Sequence, residues 1–163
     1  MLPPIGAPPR IKPPQLSEYL YEQIPLARAM AVTVLAIEAD AVTLEAPLAP
    51  NINHRRTVFG GSASALALLA GWSLLHVRLH SESIASRLVI QRNTMEYLHP
   101  IEGPFTARAT LEHPERWKSF ITMLMRRGKG RVGVGATLAH GRQLAGRFMG
   151  EFVALAGGAA ETL

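Results

Sequence analysis

Cysteine is absent from all 163 residues, which removes disulfides, thiolate metal sites and cysteine nucleophiles and leaves the redox compartment open. Aromatic side chains make up only 6% of the chain, and they do not interleave with the basic residues as nucleic-acid readers require. The net charge of +5 therefore reads as ordinary solubility or as a surface that attracts an anionic ligand, and no nucleic-acid partner is expected. Arg10 and Lys12 are followed by no apolar h-region, so no secretory signal is expected and the cytoplasm is the expected location. A clean membrane-length run is also missing. The longest uncharged stretch, Thr57 to Leu75, is interrupted by Gly60, Gly61, Ser62, Ser64, Gly71 and Ser73, whereas a span needs about 20 predominantly apolar residues. It reads as a buried helix. The histidines lack any metal-ligand spacing, so no metal is expected.

What is present is enough apolar content, 48%, to bury one core in one domain. Six prolines within the first 14 residues predict an extended arm over 1–15, followed by one domain over 16–155 and a tail over 156–163. Leu16, Tyr19, Leu20 and Ile24 recur at helical spacing, with Ser17 as the expected N-cap and Pro25 as the stop. Met30 to Ile37 and Ala41 to Ala46 read as a hairpin around Glu38-Ala39-Asp40. A helix from Gly60-Gly61 to about His80 is apolar nearly all round and must be wrapped by something. The wrapping is an antiparallel sheet. Leu88 to Leu98 is a long strand, Phe105 to Leu111 and Val132 to Leu138 alternate in polarity, and Gly141-Arg142 turns the chain into a last strand over Gln143 to Leu155. Between them Pro114, the stripe Trp117, Phe120, Ile121, Leu124, the pair Arg126-Arg127 and Gly128 mark a helix with both ends punctuated.

This order of elements resembles the hotdog fold, an α+β architecture in which an antiparallel sheet wraps around a long central helix. Two segments carry the resemblance locally: Asn53-His54-Arg55-Arg56-Thr57-Val58-Phe59-Gly60-Gly61-Ser62 and Tyr97-Leu98-His99-Pro100-Ile101-Glu102-Gly103. With Ile24-Pro25-Leu26 and Ala49-Pro50-Asn51-Ile52, they are similar to the thioesterase domain at the C-terminus of YiiD-type acetyltransferases, over roughly residues 16–155. The resemblance implies hydrolysis of an acyl-CoA or acyl-carrier-protein thioester, with no cofactor beyond the coenzyme A moiety of the substrate. It also implies a homodimer or a dimer of dimers with sites between subunits.

Thioester hydrolysis needs an oxyanion site, activated water and a clamp for the carrier. Gly60 and Gly61 can offer helix N-terminal amides to a carbonyl oxygen; the alternative is that they only permit close packing. The resemblance leads one to expect an acidic base on the helix near Leu68, yet no carboxylate lies between Thr57 and Ser81. Asn53 and His54 are the preferred substitutes, with Asn53 capping a turn and His54 solvated as the alternative. Ser64 is a further candidate that equally suits helix packing. Glu96 is a carboxylate on a strand that can face the groove. For the phosphates of coenzyme A the densest basic run is Arg126, Arg127, Lys129 and Arg131, with Arg87 and Arg92 as rivals, against the alternative of helix-dipole compensation and a solvated turn. Two other functions stay open: acyl-CoA binding without turnover, and a hotdog dehydratase or hydratase.

Overall fold

The computed structural model of the protein describes residues 10–157; most of the proline-rich arm and the end of the tail lie outside the described residues. The elements run α1 (Pro13–Gln23), α2 (Pro25–Ala29), β1 (Thr33–Ile37), β2 (Ala41–Ala46), α3 (Gly60–Ser81), β3 (Ser86–Tyr97), β4 (Phe105–Leu111), α4 (Trp117–Arg127), β5 (Lys129–His140) and β6 (Gln143–Ala156). All strand pairs are antiparallel, in the order β1-β2-β4-β5-β6-β3. The sheet wraps α3, which packs against β2, β3, β4, β5 and β6.

The wrapping follows from α3 itself. Leu66, Ala67, Leu69, Ala70, Leu74, Leu75 and Leu79 are all buried, on more than one side of the helix. By length and apolarity α3 resembles a membrane span, but the strands around it make it a core helix. From the sheet, alternate residues of β4, β5 and β6 point inward: Phe105, Ala107 and Ala109; Val134, Ala136 and Leu138; Phe148 and Phe152. Their neighbours face outward, as the two-residue period of a strand requires. Gly71 of α3 lets the sheet close in, since a Cβ there would stand 3.2 Å from Val134 and from the Phe152 ring.

The remaining stripe of α3 lies under α1. Leu16 and Leu20 of α1 are fully buried, and Tyr19 stacks on His76 at 4.8 Å between ring centroids, with Trp72 on His76 at 4.9 Å. The sequence places the start of α1 near Ser17. Instead Pro13 and Pro14 open it, because the first helical positions have no amide to lose and a proline φ suits them. Ser17 is consequently inside the helix, and its hydroxyl accepts the Val34 amide at 3.1 Å, tying α1 to β1.

α4 matches its sequence reading closely. Pro114 starts a 3-10 turn over Pro114–Arg116, and Gly128 ends α4 at φ 70°, a left-handed conformation suited to glycine. β4 stops at Leu111, opposite Val134, so the first residues of β5 lack a β4 neighbour. α4 packs there, with Phe120 against Gly130. The Trp117 indole donates to a Glu82 carboxylate oxygen and carries the Arg78 guanidinium 4.4 Å above its ring, locking α4 to the end of α3.

Burial, reinforced by the neighbouring His80, lowers the His76 pKa from 6.5 to about 4. The native imidazole is thus neutral where the unfolded chain already takes up a proton, so stability falls as pH drops from about 6.5 toward 4. Urea unfolding across that window should show a His76 contribution of about 3 kcal/mol lost on acidification. His76→Phe should flatten the profile; an unchanged slope in that variant would assign the acid sensitivity elsewhere.

Candidate functional site

α3 begins without a side-chain cap. Its first intrahelical bond is Ala63 N–H to the Phe59 carbonyl, 3.1 Å, so the amides of Gly60, Gly61 and Ser62 precede the ladder. This is the electropositive end of a 22-residue helix. It opens on a cavity of about 300 Å³, lined by Gly60 and Ala63 of α3, Thr57 and Val58 of the preceding loop, Met95 and Tyr97 of β3, the Leu98 to Ile101 turn, Leu138 and Ala145. The walls are mainly apolar. Tyr97 and His99 are the titratable side chains among them.

Tyr97 ties two separate segments together. Its hydroxyl donates to the Gly60 carbonyl at 3.1 Å, and its ring occupies the space beside Gly60, where a Cβ would meet Cε1 at 3.4 Å. At Gly61 the absence of a Cβ leaves room for a different neighbour, the half-exposed Phe59 ring, which lies over that position. The two glycines thus permit two aromatic rings to lie on the helix start and also leave its amides uncovered.

The loop before α3 is held by Asn51. This residue is 2% exposed. Its Nδ2 donates to the carbonyls of Met30 at 2.9 Å and Pro47 at 2.8 Å, while its own carbonyl accepts the Phe59 amide at 2.7 Å. Its Oδ1 is buried without a hydrogen-bond partner. Val58 is fixed in turn by donating to the Ile101 carbonyl at 2.8 Å, which binds the loop to the turn that carries His99.

Asn53 occupies the tip of this loop. Its Oδ1 accepts the amides of Arg55 at 2.8 Å and Thr57 at 3.1 Å, and its Nδ2 donates to Thr57 Oγ1 at 2.9 Å. Both ends of its side-chain amide are engaged in shaping the turn. His54 is exposed at the turn and is not among the residues lining the cavity. Ser64 is half-buried on α3, also outside the lining. Of the expected catalytic set, Gly60 alone lines the cavity; Gly61 follows it on the helix, exposed and outside the lining, and Asn53 reaches the cavity only through Thr57. Glu96 faces the other side of the sheet, 3.8 Å from Arg147.

The expected carrier-binding cations collect elsewhere. Arg92, Arg127, Lys129 and Arg131 line a larger groove of about 1060 Å³ between α4 and the outer face of β5, β6 and β3. Arg126 lies outside it. Among the described residues there is no group of three or more His, Cys, Asp or Glu side chains able to hold a metal.

Sequence reasoning passed over Tyr97 and His99 as chemical groups and treated Asn51 only as part of a loop. Tyr97 gains meaning from a contact 37 residues away in the chain, and His99 from the turn that the Val58 to Ile101 bond holds against the loop before α3; no local spacing reports either. Asn51 did leave a signal, a proline-led 3-10 turn over Ala49–Asn51.

A helix start with free amides, set inside an antiparallel sheet curled around that helix, defines a hotdog-fold protein of the α+β class. The chain belongs to the family described as "Putative thioesterase (yiiD_Cterm)", whose model matches residues 14–156. Solved structures share the architecture. A protein of unknown function from Chlorobaculum tepidum TLS is similar with a TM-score of 0.83 and 25% identity, over 91% of this chain and 99% of that one. A protein from Shewanella oneidensis described as a "putative thioesterase" gives 0.76 and 22%, over 88% and 96%. A thioesterase from Haemophilus influenzae gives 0.72 and 13%, over 95% and 98%.

Tyr97→Phe removes the bond to Gly60 but keeps the ring. If the hydroxyl sets the direction of the helix-start amides, kcat on a thioester substrate should fall roughly three- to tenfold, a loss of about 1 kcal/mol, with KM nearly unchanged. A matching loss in Tm with intact kcat would assign Tyr97 a structural role alone.

Proposed function

We propose that this protein hydrolyses acyl thioesters of coenzyme A or of an acyl carrier protein at the N-terminus of α3. The observation that carries the reading is the uncapped helix start opening into a mainly apolar cavity that His99 helps to line. The acyl chain lies among Val58, Ala63, Met95, Leu98, Ile101 and Leu138. At about 300 Å³ the cavity is at the small end of the roughly 300–1,000 Å³ typical of ligand sites, which favours short acyl groups. The thioester carbonyl oxygen meets the Gly60 and Gly61 amides, whose dipoles oppose the charge that develops on it.

For water activation the geometry favours His99 over His54, because His99 lines the cavity and His54 does not. The imidazole takes a proton from water as its oxygen attacks the carbonyl. The oxyanion then collapses, the C–S bond breaks, and the proton returns to the departing thiolate. Asn53 keeps the shape of the loop that presents Thr57 and the helix start. Acyl-thioester binding without turnover is the second reading, supported by the lack of any carboxylate on α3.

β3 is an edge strand of 12 residues, long enough to demand cover, and Val89 within it and Tyr97 at its end are exposed. We propose that a second copy pairs along this edge and closes the cavity from the β3 side.

Release of free thiol from acyl-CoAs of rising chain length tests the chemistry. Turnover should favour short chains, and His99→Ala should lower kcat about 100-fold or more, while His54→Ala stays within a fewfold of wild type. If His54→Ala is the damaging change, the base assignment moves back to the loop. Binding of every acyl-CoA with no thiol release would support the non-catalytic reading. Sedimentation should show a particle of twice 17.7 kDa, with Val89→Lys shifting it toward monomer; a wild-type monomer would remove the edge-pairing proposal.

A further inference from the structure

The larger groove has no part in the chemistry above. It lies on the outer face of the sheet, with the backbones of β5, β6 and β3 between it and α3. The strand register fixes this: Phe148 and Phe152 are buried toward the helix, so Met149 and Glu151 project to the opposite face, where they line the groove beside Arg92 and Thr94. Its other wall is one face of α4, where Arg116, Phe120, Met123 and Arg127 fall at helical spacing.

Five cations line this groove against two carboxylates. Glu151 is engaged by Arg92 at 3.4 Å, and Glu112 lies 3.7 Å from His113. No ion pair engages Arg116, Arg127, Lys129 or Arg131 among the described residues. Lys129 and Arg131 project from the start of β5 just past Arg127, so three cations converge on one end of the groove. Between the cations the exposed apolar surface is provided by two thioethers, Met123 and Met149. Met123 and Met149 are 42% and 40% exposed, which leaves them free to cover a flat group.

A cluster of unpaired guanidinium and ammonium groups is matched by phosphate, and a soft apolar floor beside it is matched by a planar heterocycle. We infer that this groove binds a phosphorylated purine nucleotide, with its phosphates at Arg127, Lys129 and Arg131 and its base over Met123 and Met149. The nucleotide comes from one of two sources: the nucleotide end of a coenzyme A thioester, in which case the inference rests on the function proposed above, or a free nucleotide acting as an effector.

The probe is adenosine 3′,5′-bisphosphate, titrated calorimetrically into the full chain, with ATP and uncharged adenosine for comparison. Saturable binding of the bisphosphate or ATP is expected, weakening with salt and much weaker for adenosine. R127A/R131A should weaken it at least tenfold. Arg126→Ala, next in sequence but outside the groove, should change it less than twofold. No saturable binding of either phosphorylated probe, or an equal loss in Arg126→Ala, overturns the inference. Calorimetry needs no turnover, so it stands even if thioester hydrolysis does not. Where acyl-CoA is hydrolysed, bisphosphate that raises KM at constant kcat identifies the groove with the substrate's nucleotide end. Bisphosphate that alters kcat without competing identifies a free effector. If R127A/R131A leaves the KM for acyl-CoA unchanged and binds the bisphosphate normally, the groove is not a nucleotide site.

Discussion

Everything in this protein answers to the need to bury α3 on nearly all sides. A helix with no polar face of its own cannot rest on a flat sheet and leave its back to water. The six strands curl around it and α1 closes the remaining stripe with Leu16, Leu20 and the Tyr19 ring. That constraint also creates the site. A helix wrapped along its length is accessible mainly at its ends, and here the C-terminal end is occupied by α4 through Trp117, Arg78 and Glu82. The N-terminal amides are left facing a cavity, and the packing that stabilises the core is what presents them.

Holding the exposed end in place falls to a few polar contacts. Asn51 satisfies two carbonyls and receives an amide bond on its own carbonyl. Hydrogen bonds of this buried kind contribute about 1 kcal/mol each, and losing one partner costs more than the bond itself provides. Tyr97 reaches the same helix turn from β3. The helix start is therefore fixed from the loop behind it and from the strand beside it, before any substrate arrives. Fixed donors of this type are the ones that stabilise developing charge without reorganising.

The architecture was legible in the sequence because its signals are local. Alternating polarity marked β4 and β5, the Gly141-Arg142 turn joined β5 to β6, and Pro114 with Gly128 bracketed α4. The start of α1 was misplaced for a local reason as well: prolines that disfavour helix interiors are at home in a first turn, and composition does not distinguish the two. The glycine pair at the start of α3 was legible for the same reason. What the sequence could not show is convergence. His99 and Tyr97 come to the helix start only because the turn after β3 folds back along the loop before α3, and Asn53 looks as polar in sequence as Asn51 although one shapes an exposed turn and the other is buried. Arg92 joins Arg127 and Arg131 only through the pairing of β3 and β5 with β6.

β6 has a double duty that bears on how this chain can change over time. Its even-numbered residues Phe148, Gly150 and Phe152 serve the helix side, and its odd-numbered residues Met149 and Glu151 serve the groove. A point substitution disturbs one side only. Adding or removing a single residue would instead exchange the two sets at once, sending phenylalanines to water and a carboxylate to the core. Strand β6 can therefore drift in composition, each face on its own terms, while its length is held nearly invariant by the fact that two unrelated surfaces share one backbone.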